Sequence, residues 1–432
     1  MQQNFMSFLK KSVSLSLLIN LFHYYAFAIY AFSAVILAPN FFHAKSLEWT
    51  HTLGVLSLSL ALLIRPLGGI VFGHIGDRYG RKKALILSLL VVTLSTSAIG
   101  LIPTYESFGV TSSFLLILCL FFQGLCMSGQ YAGAIIFIQE HTQRRYASFA
   151  CGIMGAIGVL GALLGTMSSN LFYHALPLER VWRMPFLFVV FLGMPLLYFV
   201  TFMKETPEFL ATQERSPLNK IPLLHIVKNY KRLLFSTICL SNVPVSLFYL
   251  STVYVPNFLG NNPKINSTAS LDFSSFAQGV CILFIPVFGF LADKFGKEKQ
   301  LKLTNVIIML APFLFLSYKD VYNNVYDSYF YALILAMLSA LYMGASTAYL
   351  SEKFPHIGRY TGLGLGIAIG EGCGAFAPLF CILIKDYYST VISPAYFLIF
   401  LGLISSLGIF LSTKSNSATL EPKGKEDEVF EV

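Results

Sequence analysis

Four polar side chains stand inside stretches otherwise built of apolar residues: His23, Arg65, Gln130 and Glu371. Ionisable groups in such surroundings are costly, and they face a partner or an aqueous path rather than hydrocarbon. Glu371 could take up and release a proton, pair permanently with Arg65, or meet a cationic group on a ligand. Arg65 could bind a carboxylate, or serve the backbone geometry set by Pro66 after it. His23 could act as a protonatable group and is equally at home as a hydrogen-bonded core histidine. Gln130 could contact a zwitterion. At a rise of 1.5 Å per residue, His23, Arg65 and Glu371 each lie roughly 18 Å from a basic flank, with Gln130 at a comparable depth, so the four can share one plane. Tyr30, together with Tyr24, Tyr25, Asn242, Tyr249 and Tyr342, could line the same space, against the alternative that such aromatics face packing or lipid.

The elements that must carry these groups are membrane helices. A hydrophobic fraction of 56% beside a charged fraction of 12% could not cover the surface of a soluble protein. The 40 Phe and 23 Tyr suit lipid contact and interfacial belts. Spans of about 20 apolar residues fall near 13–38, 50–75, 84–103, 112–137, 147–172, 184–203, 233–258, 272–292, 300–318, 328–350, 361–384 and 392–412. With both termini cytoplasmic, most of the 30 basic residues lie inside; Lys45, Arg180, Arg183, Lys264, Lys319 and Lys385 lie outside, and Arg65 lies within the membrane. The net charge of +9 is therefore a topology signal, and nucleic-acid binding is not expected.

The polar stretch 204–232 reads as a cytoplasmic linker carrying a short interfacial helix, and 413–432 as a polar tail ending in acids. The organisation is then 1–203 for a first bundle, 204–232 for the linker, 233–412 for a second bundle and 413–432 for the tail. All seven cysteines fall in expected spans without metal-ligand spacing, which makes them packing residues. The first apolar stretch is too long for a signal peptide and is kept as a span. Asn266-Ser267-Thr268 matches a glycosylation tripeptide in an outer loop.

The run from Arg65 to Lys83 takes a helix out into a basic, glycine-bearing turn that contains Gly73, Asp77, Arg78, Gly80, Arg81 and Lys82. A weaker copy, Gly289 to Lys299 with Asp293 and Gly296, stands half a chain length further on. A second echo runs from Glu140 to Arg145-Tyr146 and from Glu352 to Arg359-Tyr360, each leading into a glycine-rich helix. Duplicated halves with a hinge-like motif are what a two-bundle transporter needs. Asp77 can reach Arg81 or a neighbouring helix terminus, and such a cluster can form in one conformer and break in the other. The alternative is topology anchoring alone, which Arg81, Lys82 and Lys83 serve at an anionic inner surface.

These motifs resemble the major facilitator superfamily, and within it the metabolite:proton symporter family, over nearly the whole chain. The resemblance rests on Arg65 to Lys83, on Gly124 to Ala134, on Lys204 to Phe209, and on Glu352 to Gly362 followed by Ala375 to Pro378. It implies an all-α integral membrane protein with twelve transmembrane helices in two six-helix bundles related by pseudo-two-fold symmetry, the major facilitator fold. The implied activity is secondary transport of zwitterionic osmolytes such as proline and glycine betaine, or of carboxylates such as citrate, 2-oxoglutarate and shikimate, usually with protons. Three acids of the family pattern are replaced here: His23 and Ala26 stand in span one, and Gln130 in span four.

The expected function is therefore alternating-access movement of a small zwitterionic osmolyte across the cell inner membrane, coupled to protons through Glu371 or His23. A carboxylate carrier with Arg65 as counter-charge, or an uncoupled facilitator, are the alternatives. Enzymatic chemistry is not expected, since no nucleophile–base pair and no metal-ligand cluster is present. The lack of a Walker-type phosphate loop argues against an ATP-driven pump. No cofactor is expected, a driving proton gradient aside; the bilayer and a small molecule are the expected partners, and the chain is expected to act as a monomer. A receptor that binds without transporting remains a reading from a different class.

Overall fold

The computed structural model describes residues 11–43, 46–175, 182–215, 222–255, 267–316, 325–355, 358–388 and 393–416, and contains no strand among them. Twelve principal helices follow in order among these residues. The first six are α1 (Lys11–Phe41), α2 (Leu47–Tyr79), α3 (Arg81–Leu101), α4 (Val110–Glu140), α5 (Ala147–Ala175) and α6 (Met184–Thr201). The second six are α7 (Lys231–Tyr249), α8 (Ser267–Phe295), α9 (Lys297–Leu316), α10 (Val325–Lys353), the broken α11 (Arg359–Ala375 and Ala377–Tyr388) and α12 (Ser393–Asn416). Between the sets lie short helices Pro207–Arg215 and Pro222–Asn229.

Eleven of the described helices are long and apolar enough to cross a membrane. The expected ninth span, 300–318, coincides with α9 as far as Leu316, the last described residue there. Its first turns carry Lys297, Glu298, Lys299 and Lys302, so its uninterrupted apolar length within the described residues is short. Asn266 of the glycosylation tripeptide, the tail from 417 onward, the first ten residues and the outer-loop Lys45, Arg180, Lys264 and Lys319 lie outside the described residues, while Ser267 and Thr268 open α8.

The helix packing repeats between halves. Helix α1 packs on α5 as α7 packs on α11; α2 lies on α4 as α8 lies on α10; α3 touches α4 and α6 as α9 touches α10 and α12. The halves meet along two further seams, α2 with α11 and α5 with α8, which are each other's images. The chain turns at Gly80 (φ 111°) between α2 and α3 and at Gly296 (φ 99°) between α8 and α9. That region of backbone space favours glycine at both copies of the motif.

Small residues let the seams close. A Cβ on Gly69 would lie 2.8 Å from the backbone of Gly364, and one on Gly152 would lie 2.9 Å from the carbonyl oxygen of Ile285. Backbones at this spacing exclude any larger side chain, as membrane helix crossings with small residues require. Among the cysteines all seven are free, five of them buried; Cys119 is half-buried and Cys373 is exposed, so the packing role expected for all seven does not extend to Cys373.

Candidate functional site

Arg65 on α2 and Glu371 on α11 form an ion pair across the first seam, Nη1 to Oε2 at 3.4 Å, with side chains 8% and 13% exposed. A proline stands beside the pair in one helix and a break follows it in the other. Pro66 follows Arg65 within α2, and α11 is interrupted at Phe376, just past Glu371. Ser128 on α4 donates to the Arg65 carbonyl at 2.6 Å. The guanidinium lies 5.2 Å from the centre of the Phe27 ring on α1. It is incompletely satisfied: its Nε is buried with no acceptor, and one bond of 3.4 Å is long for a charge-assisted contact.

Three tyrosines complete the constellation. Tyr24 on α1 and Tyr249 at the end of α7 lie in the field of both Arg65 and Glu371, and Tyr131 on α4 in that of Tyr24 and Glu371. The rings of Tyr24 and Tyr131 meet edge to face with centroids 6.1 Å apart. Directly after Tyr249 the helix widens into a π-type turn, Leu250–Tyr254, a deformation that often marks functional positions. Tyr24, Tyr249 and Glu371 are half-buried while Tyr131 is buried.

The other expected residues divide by helix face. On α1, Asn20, Tyr24 and Phe27 form the stripe toward α4, α5 and the seam: Asn20 donates to Met154 O at 2.8 Å and accepts from Gln130 at 3.3 Å. His23, Ala26 and Tyr30 form a different stripe that packs inside the first bundle. His23 is fully buried, with Nδ1 3.2 Å from the Ile19 carbonyl oxygen and Nε2 unpartnered. The Ala26 carbonyl accepts from Gln123 at 3.0 Å, and Tyr30 bonds Ser57 at 2.5 Å. The four residues thus do not meet at one point: Arg65 and Glu371 pair, Gln130 stands one position from Tyr131 and is tied to Asn20, and His23 faces into the first bundle. His23→Leu is accordingly expected to leave the pH dependence of uptake unchanged; a flattened profile would return His23 to the site. Tyr342 is fully buried on Ser405 at 2.8 Å, and Asn242 accepts from Ser246 at 3.2 Å.

The loop motif closes one face of both seams. Asp77 accepts from the backbone N–H of Tyr360 (3.2 Å) and Thr361 (3.0 Å) and from the Thr361 hydroxyl (2.8 Å), capping the start of α11. A carboxylate there answers the unsatisfied donors and positive dipole end of the helix. The second copy does the same in mirror position: Asp293 accepts from Ser148 and Phe149 N–H at 2.9 and 2.8 Å, at the start of α5. Arg81 lies 3.9 Å from Asp77 and 3.4 Å from Glu140, and its counterpart Lys297 pairs with Glu352. Both partners foreseen for Asp77, Arg81 and a neighbouring helix terminus, are present.

The first seam carries more. Arg359 reaches Glu140 (3.8 Å) and Glu208 of the linker (3.2 Å). Glu205 accepts from the N–H groups of Arg81 and Lys82 at the start of α3, while Lys82 donates to Thr201 O at 2.7 Å. Arg78 lies against the ring of Tyr79 at 5.7 Å. Tyr360 marks the end of the second echo in the sequence, but no role for it is legible there. It is fully buried, donates to the Gly129 carbonyl at 2.7 Å, and seats its ring against Gly76 and its hydroxyl against Gly133. Gly73 faces Thr361 in the same way. The signal was the pairing of three glycines with a tyrosine on the facing helix, which no local pattern exposes.

Comparison with known proteins agrees with this architecture. The sequence profile of the Major Facilitator Superfamily matches residues 17–378. The proline/betaine transporter of Escherichia coli (strain K12) is 28% identical, over 94% of this chain and 84% of that protein. The glycine betaine/proline/ectoine/pipecolic acid transporter OusA of Dickeya dadantii (strain 3937) shows the same figures. The solved structure of the proton:xylose symporter XylE bound to 6-bromo-6-deoxy-D-glucose superposes with a TM-score of 0.75 at 15% identity, covering 96% of both chains.

Proposed function

Because this chain belongs to the Major Facilitator Superfamily, we propose that it is a secondary active transporter carrying a small zwitterionic osmolyte of the proline or betaine kind across the inner membrane, driven by protons. The observation that carries this reading is the Arg65–Glu371 pair, held between the two halves and incompletely hydrogen-bonded. The names of the relatives in E. coli and D. dadantii support the substrate class. Residues 1–203 and 233–412 are the two moving bundles, 204–232 joins them, and 413–432 is the tail. The motif face is cytoplasmic, as are both termini, and one copy of the chain suffices.

In the resting state Arg65 and Glu371 neutralise each other. A proton delivered to Glu371 ends that attraction and frees the guanidinium, whose planar donors suit a carboxylate. The substrate carboxylate then takes the place of Glu371. After the bundles exchange openings, Glu371 loses its proton to the alkaline side, reclaims Arg65 and displaces the carboxylate. Substrate and proton thus move together, because Arg65 serves one carboxylate at a time.

The deciding measurement is uptake of labelled proline and glycine betaine by proteoliposomes, with and without an inward proton gradient. Gradient-driven accumulation above equilibrium is the expected result. Uptake that stops at equilibrium would make the protein an uncoupled facilitator, and uptake of citrate-like anions in place of both zwitterions would make it a carboxylate carrier.

A further inference from the structure

We propose that Tyr24, Tyr131 and Tyr249 form an aromatic seat for the cationic end of the substrate, selecting an alkylated ammonium, while Arg65 holds the carboxylate end. This rests on the zwitterion reading above and assigns the half of the molecule that the ion pair leaves open. A transported zwitterion presents two charges, and Arg65 answers only the negative one. Glu371 cannot answer the positive one in the loaded state, because its proton is what released Arg65. The groups that remain within electrostatic reach of the pair are the three tyrosines, drawn from α1, α4 and α7 and thus from both bundles.

Their chemistry fits that task. A quaternary ammonium has no N–H to donate, so hydroxyls and amides gain little from it, whereas the negative face of an aromatic ring attracts it without a hydrogen bond. The site already contains one such contact, since the Arg65 guanidinium rests over Phe27 at 5.2 Å. That engagement leaves the tyrosines, and not Phe27, for a second cation. Tyr24 and Tyr131 stand at a right-angled contact of 6.1 Å, which gives a cation two walls. Tyr249 stands on the opposite bundle, so the seat can be complete only while the halves hold the substrate between them. Tyr24 and Tyr249 are half-buried, in keeping with walls that a ligand can reach.

The test compares glycine betaine with 3,3-dimethylbutanoate, which has the same shape and carboxylate but carbon in place of the charged nitrogen. Both compete against labelled glycine betaine in exchange across proteoliposomes, an assay that needs no gradient. On the unaltered protein the analogue that lacks the cation should compete about tenfold or more weakly, the scale of one cation–π contact. Tyr24→Leu and Tyr249→Leu should each weaken glycine betaine by about tenfold with little change for the analogue, while Tyr24→Phe and Tyr249→Phe should retain betaine exchange. An analogue that competes as well as betaine, an equal loss for both ligands, or Phe variants as damaged as Leu variants would each overturn the seat while leaving the transport reading intact. The first of these comparisons uses no variant, so misfolding cannot mask it. An unaltered protein that exchanges neither betaine nor proline would overturn the transport reading itself, and the seat with it.

Discussion

Replacing Glu371 with Gln is expected to abolish accumulation against a gradient while exchange of labelled substrate continues. The amide imitates the protonated acid in shape and neutrality, so Arg65 is permanently released and the carboxylate of the substrate keeps its partner. What disappears is the group that must collect a proton on one side and surrender it on the other. One proton falling through a potential of about 100 mV is worth about 2.3 kcal/mol, which supports an accumulation of roughly fifty-fold. The variant should hold about onefold, the equilibrium ratio, at any imposed gradient. Unaltered uptake should decline as the outer medium is made alkaline, because fewer protons reach Glu371, and the variant should show no such decline. Retained accumulation in the Gln variant would place coupling elsewhere. Arg65→Gln sharpens the comparison: losing the positive partner should eliminate both exchange and accumulation, since the substrate carboxylate then enters a buried place with no counter-charge.

Several of these features are visible in the sequence for physical reasons. The twelve hydrophobic stretches, the duplicated turn at Gly80 and Gly296, and the acids at Asp77 and Asp293 follow from apolar length, from glycine's access to positive φ and from a motif that recurs at half the chain length. That Asp77 would serve a helix terminus was open to inference because its position at a helix end leaves few other partners. The Arg65–Glu371 contact was one of three roles open to Glu371, since depth along two helices can be counted from their ends. Rotation about the helix axis cannot be counted in this way. Helix α1 is apolar nearly all round, so nothing in its pattern separates the stripe of Asn20, Tyr24 and Phe27 from that of His23, Ala26 and Tyr30. For the same reason His23 ranked beside Glu371, although it lies within the first bundle. Tyr131 and Tyr360 stayed hidden because their partners are remote: the Tyr360 hydroxyl meets Gly129 across 231 positions of sequence.

The pseudo-symmetry also fails where it is most informative. Asp77 and Asp293 cap facing helices alike, yet the capped position filled by the fully buried Tyr360 at the first seam is filled by the small Ser148 at the second. Arg359 is held by two acids, Glu140 and Glu208, so the seam between α2 and α11 is the more heavily tied of the two. Opening of the motif face must extract Tyr360 from its socket, break its bond to Gly129 and uncap α11 from Asp77.

Gly133→Ala should therefore shift the protein toward the state open at the motif face. The new methyl would occupy the space of the Tyr360 hydroxyl, and overpacking of this kind costs typically 1–3 kcal/mol. Only the closed state bears that cost, so the balance of states should move by roughly 5- to 150-fold. Spin labels at Tyr79 and Phe295, the exposed ends of α2 and α8, would report the shift as a longer distance in a cysteine-replaced background. The socket geometry makes a sharper demand. Tyr360→Phe on its own loses the 2.7 Å bond to Gly129, worth about 1 kcal/mol, and should open the face slightly. Combined with Gly133→Ala it removes the atom nearest the methyl, the hydroxyl oxygen, but leaves ring carbons at 2.6 and 3.0 Å, so the double variant should be partly, not fully, restored toward the closed state. Gly76→Ala should not be rescued by the same change, because its methyl would strike the Tyr360 ring carbons, which phenylalanine retains. Rescue of both glycine variants, or of neither, would mean that Tyr360 is ordinary packing and that the acids around Arg359 hold this face shut.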